Sequence, residues 1–352
     1  MKRYLGIALA ALTAILGTTA CGSRRPVLHV YTWADYFDMD VVRQFEREFG
    51  CRVRIDNFAS NEELYAKLRA GATGYDVIFP TTYMVHLMRR ENMLIPLDRE
   101  QLPNLVHLDP KFRAISADPD NAYSVPYMFG TTGLGWRTDR VPEDFEASWT
   151  VFANPEFRGR MSMLADMREA MGAALKTLGY SLNSTDPGEL AAAGELLKAW
   201  KPQLARYDSE GYRNSLASAE LVVVQGYSGD IIMIREDDEV EEVRYAVPRE
   251  GGSLWADEMA IPAGARQVEL AHAFINFFHR PEIAAQNMEY NYYHCPNTAA
   301  YELLDDDFLS DPVIFFLLHG DPELLAKCEF IEDLGEANAL YTRIWDEVRA
   351  AR

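Results

Sequence analysis

Val27-Leu28-His29-Val30-Tyr31, Arg52-Val53-Arg54-Ile55-Asp56-Asn57 and Tyr75-Asp76-Val77-Ile78-Phe79 are three short runs with two helical patterns between them. The first and third are nearly continuous apolar segments. In the second, Val53 and Ile55 alternate with polar residues, so all three read as strands. Asp40 stands where a helix cap is expected, followed by an apolar stripe of Val41, Val42, Phe45 and Phe49. Asn61 is placed to cap a second helix through Leu64 and Leu68, ended by Gly71, and Pro80-Thr81-Thr82 opens a third that runs to Arg90. Strands alternating with helices predict a mostly parallel sheet whose ligand sites lie at the strand C-terminal ends. The loops at those ends carry Trp33-Ala34-Asp35-Tyr36, Phe58-Ala59-Ser60-Asn61 and Thr81-Thr82-Tyr83, which therefore gather at one edge.

The same style continues downstream. Val125-Pro126-Tyr127 and Gly130–Trp136 form a Gly-rich extended pair. Met161–Ala165 reads as a strand leading into Asp166-Met167-Arg168-Glu169 at a helix start. Leu221–Val224 leads into Gln225-Gly226-Tyr227-Ser228-Gly229-Asp230. Arg244–Pro248 is a further strand, and Ser253–Pro262 an extended return. Helices are expected at Val268–Phe278, near Pro281–Met288 and from about Leu334 to Ala351.

Lys2 and Arg3 precede the uncharged stretch Tyr4–Ala20, and Thr18-Thr19-Ala20-Cys21 follows, with small residues before a cysteine. This pattern predicts a signal peptide over residues 1–20 and lipid attachment at Cys21, although Thr18 stands where an aliphatic residue is usual. No later segment is long and apolar enough to span a bilayer. Removing residues 1–20 leaves 332 of 352 residues. It takes two bases and no acid from a net charge of −20, giving about −22. That length favours two lobes. The charge disfavours nucleic acid, anionic lipid and acidic ligands, and permits a cation. Besides Cys21, only Cys51, Cys295 and Cys328 remain, in no metal-binding spacing; an oxidising compartment would allow one disulfide among them, the sequence does not select a pair, and buried inert thiols are the expectation.

The loops supply two residue types. Trp33, Tyr36, Tyr83, Tyr227, Trp255 and Tyr293 are aromatic; Asp35, Asp166, Glu169, Asp230 and Asp257 are acidic. Ring faces attract alkylammonium groups and cover methylene stems, and carboxylates accept short charge-assisted hydrogen bonds. Asp166 and Glu169, three apart at a helix start, can face one site. The helix dipole alone would also favour acids there. Trp255 and Asp257, two apart on an extended segment, share a face. A hydrolase built on a carboxylate pair would need one protonated acid beside a partner at defined separation, and no need for several rings. There is no Ser-His-Asp setting, metal-ligand cluster or phosphate loop.

From Val27 to its end the chain resembles the spermidine/putrescine-binding proteins of bacterial ABC importers. The resemblance is carried by Tyr31–Tyr36, Ser60–Leu68, Tyr75–Tyr83, Tyr123–Tyr127, Asn154–Gly159, Asp166–Glu169, Leu178–Ser181, Gly226–Asp230, Trp255–Asp257 with Ala260–Pro262, and Ile275–Phe277, in that order. It implies a type II periplasmic-binding fold: two α/β lobes, each a mixed, mostly parallel sheet flanked by helices, with a two-strand hinge near Gly133–Arg137 and Leu254–Pro262. Residues 21–26 would be a lipid-anchored linker, 27–134 and 258–305 lobe one, and 135–257 and 306–352 lobe two. Trp33, Tyr36, Tyr227 and Trp255 would box the ligand's methylene chain. Asp257 would hold one amine, and Asp166 with Glu169 another. Tyr83 and Tyr293 would line the slot, with Asp35, Thr82 and Asp230 beside it. Tyr227, where Trp is common, Asp230, which resembles the putrescine-type branch, and Ile331, where spermidine binders carry Gln, make the set a hybrid. The resemblance also implies capture by cleft closure, delivery to a permease, a periplasmic or cell-surface lipoprotein, and neither cofactor nor chemistry. The same fold could serve another small organic cation or a ligand-responsive sensor.

Overall fold

A computed structural model describes residues 25–113, 118, 120–236 and 240–351. The expected signal peptide and Cys21 lie outside the described residues.

β1 (Val27–Thr32) lies between β2 (Arg52–Asn57) and β3 (Val77–Ile78), parallel to both. The helices Met39–Glu48, Asn61–Arg69 and Thr82–Arg90 follow these strands in turn. The caps differ from expectation. Asp38, not Asp40, accepts from a first-turn amide, and Asp40 pairs with Arg43. Ser60, not Asn61, accepts from Glu63 N at 3.2 Å. Both helices begin earlier than the apolar stripe suggests, since a stripe marks the buried face and not the first turn. The displaced Asn61 turns inward and exchanges hydrogen bonds with Thr81, donating to Oγ1 and accepting from N, each at 2.9 Å.

The chain continues through β4 (Ser124–Arg137), β5 (Met161–Met163), β6 (Arg206–Tyr207), β7 (Val223–Tyr227), β8 (Val243–Ala246), β9 (Ser253–Ala260) and β10 (Glu329–Phe330). The order across the sheet is β2-β1-β3-β9-β4-β7-β5-β6, with β10 on β9 and β8 on β4. β4 holds both halves together. Ser124–Thr131 runs antiparallel to β9, whereas Thr132–Trp136 runs antiparallel to β7 and Leu134–Arg137 to β8. The strand thus changes partners between Thr131 and Thr132, a few residues before the boundary drawn at 134/135. Trp255 and Asp257 on β9 pair with the first part of β4, whereas the division drawn at 257/258 assigns them to the second lobe. β10 pairs with Ser253 and Leu254 at the same level, adding a third chain crossing to the two extended segments.

Each half has its own core. One gathers Leu28, Val30, Phe45, Val77, Phe274 and Phe278; the other gathers Trp149, Phe152, Met171, Leu197, Trp200 and Trp345. The second core is roofed by the helices Met167–Thr177, Pro187–Trp200 and Asn338–Ala350, packed on one another. Cys51 and Cys295 are buried, Cys328 is half-buried, and all three are free thiols. Among the described residues, no helix is long and apolar enough to cross a membrane.

Candidate ligand-binding site

The C-terminal ends of β1, β2 and β3 face those of β5, β6 and β7 across a cleft, and β9 forms its floor. The cavity there encloses about 740 Å³, its open mouth included. Trp33, Asp35, Tyr36, Tyr83, Asp166, Glu169, Tyr227, Asp230, Trp255, Asp257 and Tyr293 all line it. Thr82 does not. Its hydroxyl donates to Ala256 O at 2.8 Å, and Thr81 lines the cavity in its place. Thr81 ends the strand connection while Thr82 is already the first residue of the helix, so their side chains diverge.

The rings form a continuous wall of edge-to-face contacts. Trp33 meets Tyr227 at 6.3 Å, Tyr227 meets Trp255 at 5.9 Å, Trp255 meets Tyr293 at 4.9 Å, and Tyr293 meets Tyr36 at 6.0 Å. Edge-to-face pairing leaves ring faces available to a guest. Two glycines permit this wall. A Cβ on Gly130 would come within 2.3 Å of the Trp255 ring. One on Gly229 would come within 2.6 Å of Tyr293 and 2.2 Å of Asn291 O.

The acids are set at different depths. Asp257 accepts from Thr81 Oγ1 at 2.6 Å and from Tyr36 Oη at 2.7 Å. Burial pushes its carboxyl up to about 7, against the pull of those hydroxyls. Asp166 caps the helix Met167–Thr177, accepting from Arg168 N and Glu169 N. Burial raises its pKa too, and the backbone donors oppose the rise. Glu169 accepts from Thr132 Oγ1 at 2.9 Å and Ser253 Oγ at 2.5 Å. These hydroxyls sit where β4 changes partners and where β9 begins. Burial and then the Asp166 charge lift Glu169 to about 8. Asp230 accepts from Tyr293 Oη at 2.8 Å and Tyr212 Oη at 2.5 Å, and burial raises its pKa. Asp35 adopts a left-handed backbone conformation, φ 49°, which Asp tolerates, and stands at the mouth with its side chain 58% exposed.

The lining is completed by Ala34, Phe58, Asn61 and Thr81 from the expected loops, by Ile331 from the C-terminal crossing, and by Ser209, Glu210 and Arg213, which sequence reasoning missed. Asn61 had a signal, misread as a cap. Arg213 had none, because the helix Tyr212–Ala217 shows no clear periodicity within its 6 residues. Contacts across the cleft show it closed: Tyr293 to Asp230, Trp33 to Tyr227, Arg168 over the Tyr83 ring at 5.5 Å, and Arg90 to Asp333 at 2.8 Å. A closed slot of rings and cation-seeking acids can bind and desolvate a cationic chain.

The family model described as bacterial extracellular solute-binding protein matches residues 40–315. The chain belongs to this family. The spermidine/putrescine-binding periplasmic protein of Salmonella typhimurium is 35% identical over 354 residues, covering 100% of both chains. The putrescine-binding periplasmic protein SpuD of Pseudomonas aeruginosa is 33% identical over 372 residues, again covering 100% of each. Among solved structures, the TpPotD lipoprotein of Treponema pallidum superposes with a TM-score of 0.76 at 33% identity, over 92% of this chain and 99% of that one. The α/β fold is therefore that of the type II periplasmic-binding proteins, as the resemblance implied.

Proposed function

We propose that the protein is an extracytoplasmic polyamine-binding protein that captures spermidine or putrescine between its lobes and hands it to an ABC permease. The observation that carries this is the slot itself, in which six acids and an unbroken ring wall converge in one closed cavity. The ligands for which its relatives are named support the same class. A polyamine is a flexible apolar rod bearing ammonium groups, so ring faces suit its methylenes and carboxylates its charges. Asp257 and the Asp166/Glu169 end are the anchors, with Trp33, Tyr36, Tyr227 and Trp255 around the chain between them. Lobe one comprises residues 27–131 and 253–315, the span that its core includes; the rest is lobe two. Ligand bridging both lobes shifts the open–closed population towards closed. No covalent step is involved. We place the mature N-terminus at a lipid-bearing Cys21, and the solved lipoprotein relative is consistent with this.

The test is calorimetric titration of ligand-stripped protein with spermidine, putrescine and glutamate as an acidic control. Binding of at least one amine, and not of glutamate, is expected. Failure of both amines to bind tighter than about 100 μM, or about −5.5 kcal/mol, refutes the reading.

A further inference from the structure

A cation-binding slot has a use for carboxylates and rings; a resident cation in its wall is a different matter. Among the described residues lining the cavity, Arg213 is the one basic side chain. It comes from the second lobe, on the short helix Tyr212–Ala217, and only 15% of its side chain is exposed. Its Nη1 lies 3.8 Å from Asp35 Oδ2, which reaches over from the first lobe, and 3.5 Å from Met233 Sδ. Exposed Glu210 and half-exposed Ser209 line the cavity beside it, so Arg213 marks the mouth. The closed end is the opposite case. Asp166 and Glu169 are buried there, held by backbone amides and hydroxyls, and no ion pair reaches them among the described residues.

Asp230 lies between these extremes. Tyr212 and Tyr293 each donate to one of its oxygens, and the Arg213 charge draws its carboxyl down against the rise from burial. This acid is thus already supplied with two donors and a nearby guanidinium before any ligand arrives. On the polyamine reading an ammonium is held at the closed end and at Asp257, whereas one extended towards the mouth meets the Arg213 guanidinium, set beside the carboxylates of Asp35 and Glu210. Like charges in a partly desolvated cleft repel far more than in water.

We propose that Arg213 is a specificity-determining residue. It fills, with its own charge, the place where a longer polyamine would set its outermost ammonium, and so restricts the slot to diamines and triamines and rejects tetraamines. This rests on the polyamine reading above. The Arg213–Asp35 pair spans the two lobes, so the same residue that limits length also closes the mouth over a ligand short enough to fit.

The experiment measures dissociation constants of putrescine, spermidine and spermine for the wild type, Arg213→Gln, Arg213→Lys and Asp35→Asn. In the wild type, spermine should bind at least tenfold more weakly than the better of the shorter amines. Arg213→Gln should narrow that ratio tenfold or more, while Arg213→Lys, which keeps the charge, should preserve it. Asp35 is exposed and its loss is tolerable to the fold. Asp35→Asn leaves the Arg213 charge less compensated and should widen the ratio. Equal wild-type affinity for spermine, or an unchanged ratio in Arg213→Gln with shorter amines still bound, overturns the proposal alone. Binding of none of the three amines by the wild type overturns the polyamine reading and this one with it. Should Arg213→Gln not fold, an unchanged ratio in Asp35→Asn is the overturning result.

Discussion

Polyamine binding should release protons, and the number released can be worked out from the site. In the closed cleft burial raises Asp257 to about 7 and Glu169 to about 8. An ammonium in contact draws such values below about 5. The ligand itself stays charged, because alkylammonium groups titrate near about 10. At pH 6 the two carboxyls together hold about 1.9 protons, and at pH 8.5 about 0.3. Where the protein closes ahead of its ligand, affinity should therefore climb by about two to three orders of magnitude between pH 6 and pH 8, or about 4 kcal/mol. The sign for the empty protein is opposite. These acids have folded values raised above the unfolded ones near 4, so their own contribution to closed-form stability is fully present below about pH 4 and is lost as pH rises through the raised values. Calorimetry at pH 6 in two buffers of different ionisation enthalpy counts the protons directly. Release of fewer than about 0.5 protons at pH 6, with affinity flat to pH 8, would refute the assignment of these carboxyls as ammonium partners.

Three substitutions probe the rest of the site. Asp257→Asn replaces the acid that Thr81 and Tyr36 hold in place. It should cost about 2–5 kcal/mol of binding, or about 30-fold to several thousandfold in Kd, and unchanged calorimetric affinity would move the anchor elsewhere. Thr132→Val removes one of the two hydroxyl donors to buried Glu169. Urea denaturation should show a loss of about 1–3 kcal/mol, and no loss would mean that this contact is not maintained. Gly130→Ala pushes a methyl into the space of the Trp255 ring, 2.3 Å away. Displacing that ring should weaken polyamine binding about tenfold or more, since a displaced ring forfeits about 0.5–2 kcal/mol for each ammonium contact and its packing besides; affinity within twofold of wild type would show that Trp255 does not face the ligand.

Much of this site was legible because its residues sit where strand periodicity ends. Trp33, Tyr36 and Tyr83 follow β1 and β3, and Asp166 and Asp230 follow β5 and β7, so locating the strands located them. Trp255 and Asp257 were readable as a same-face pair by the two-residue repeat alone. What stayed hidden depends on one-residue phase or on distant packing. Thr81 and Thr82 are adjacent threonines at a strand–helix junction, and only the first helical residue's position decides which faces the cleft. Asn61 looked like a cap because Ser60, the actual cap, carries the same signal. Arg213 reaches the slot only because Tyr212 packs under Gly226, where a Cβ would lie 2.5 Å from the Tyr212 ring. Nothing local foretells that contact.

The structure also explains why closure should depend on cargo. Asp166, Glu169, Asp230 and Asp257 are enclosed together with Asp35 at the rim, against Arg213 alone among the described basic residues of the lining. Closing an empty cleft removes water from these carboxylates, and each must then take up a proton or bear the repulsion of its neighbours. A polycation removes that penalty at every anchor at once. Glu169 accepts from Thr132 on β4 and Ser253 on β9 with its two oxygens, so an ammonium placed on this carboxylate would act directly on the two crossing strands. A ligand shifts a two-state equilibrium only by its differential affinity, and here a charged ligand adds an electrostatic share that a neutral one lacks. The ring wall alone would admit any apolar chain of suitable width, whereas the acids make the closed state one that only a polycation can occupy at little cost.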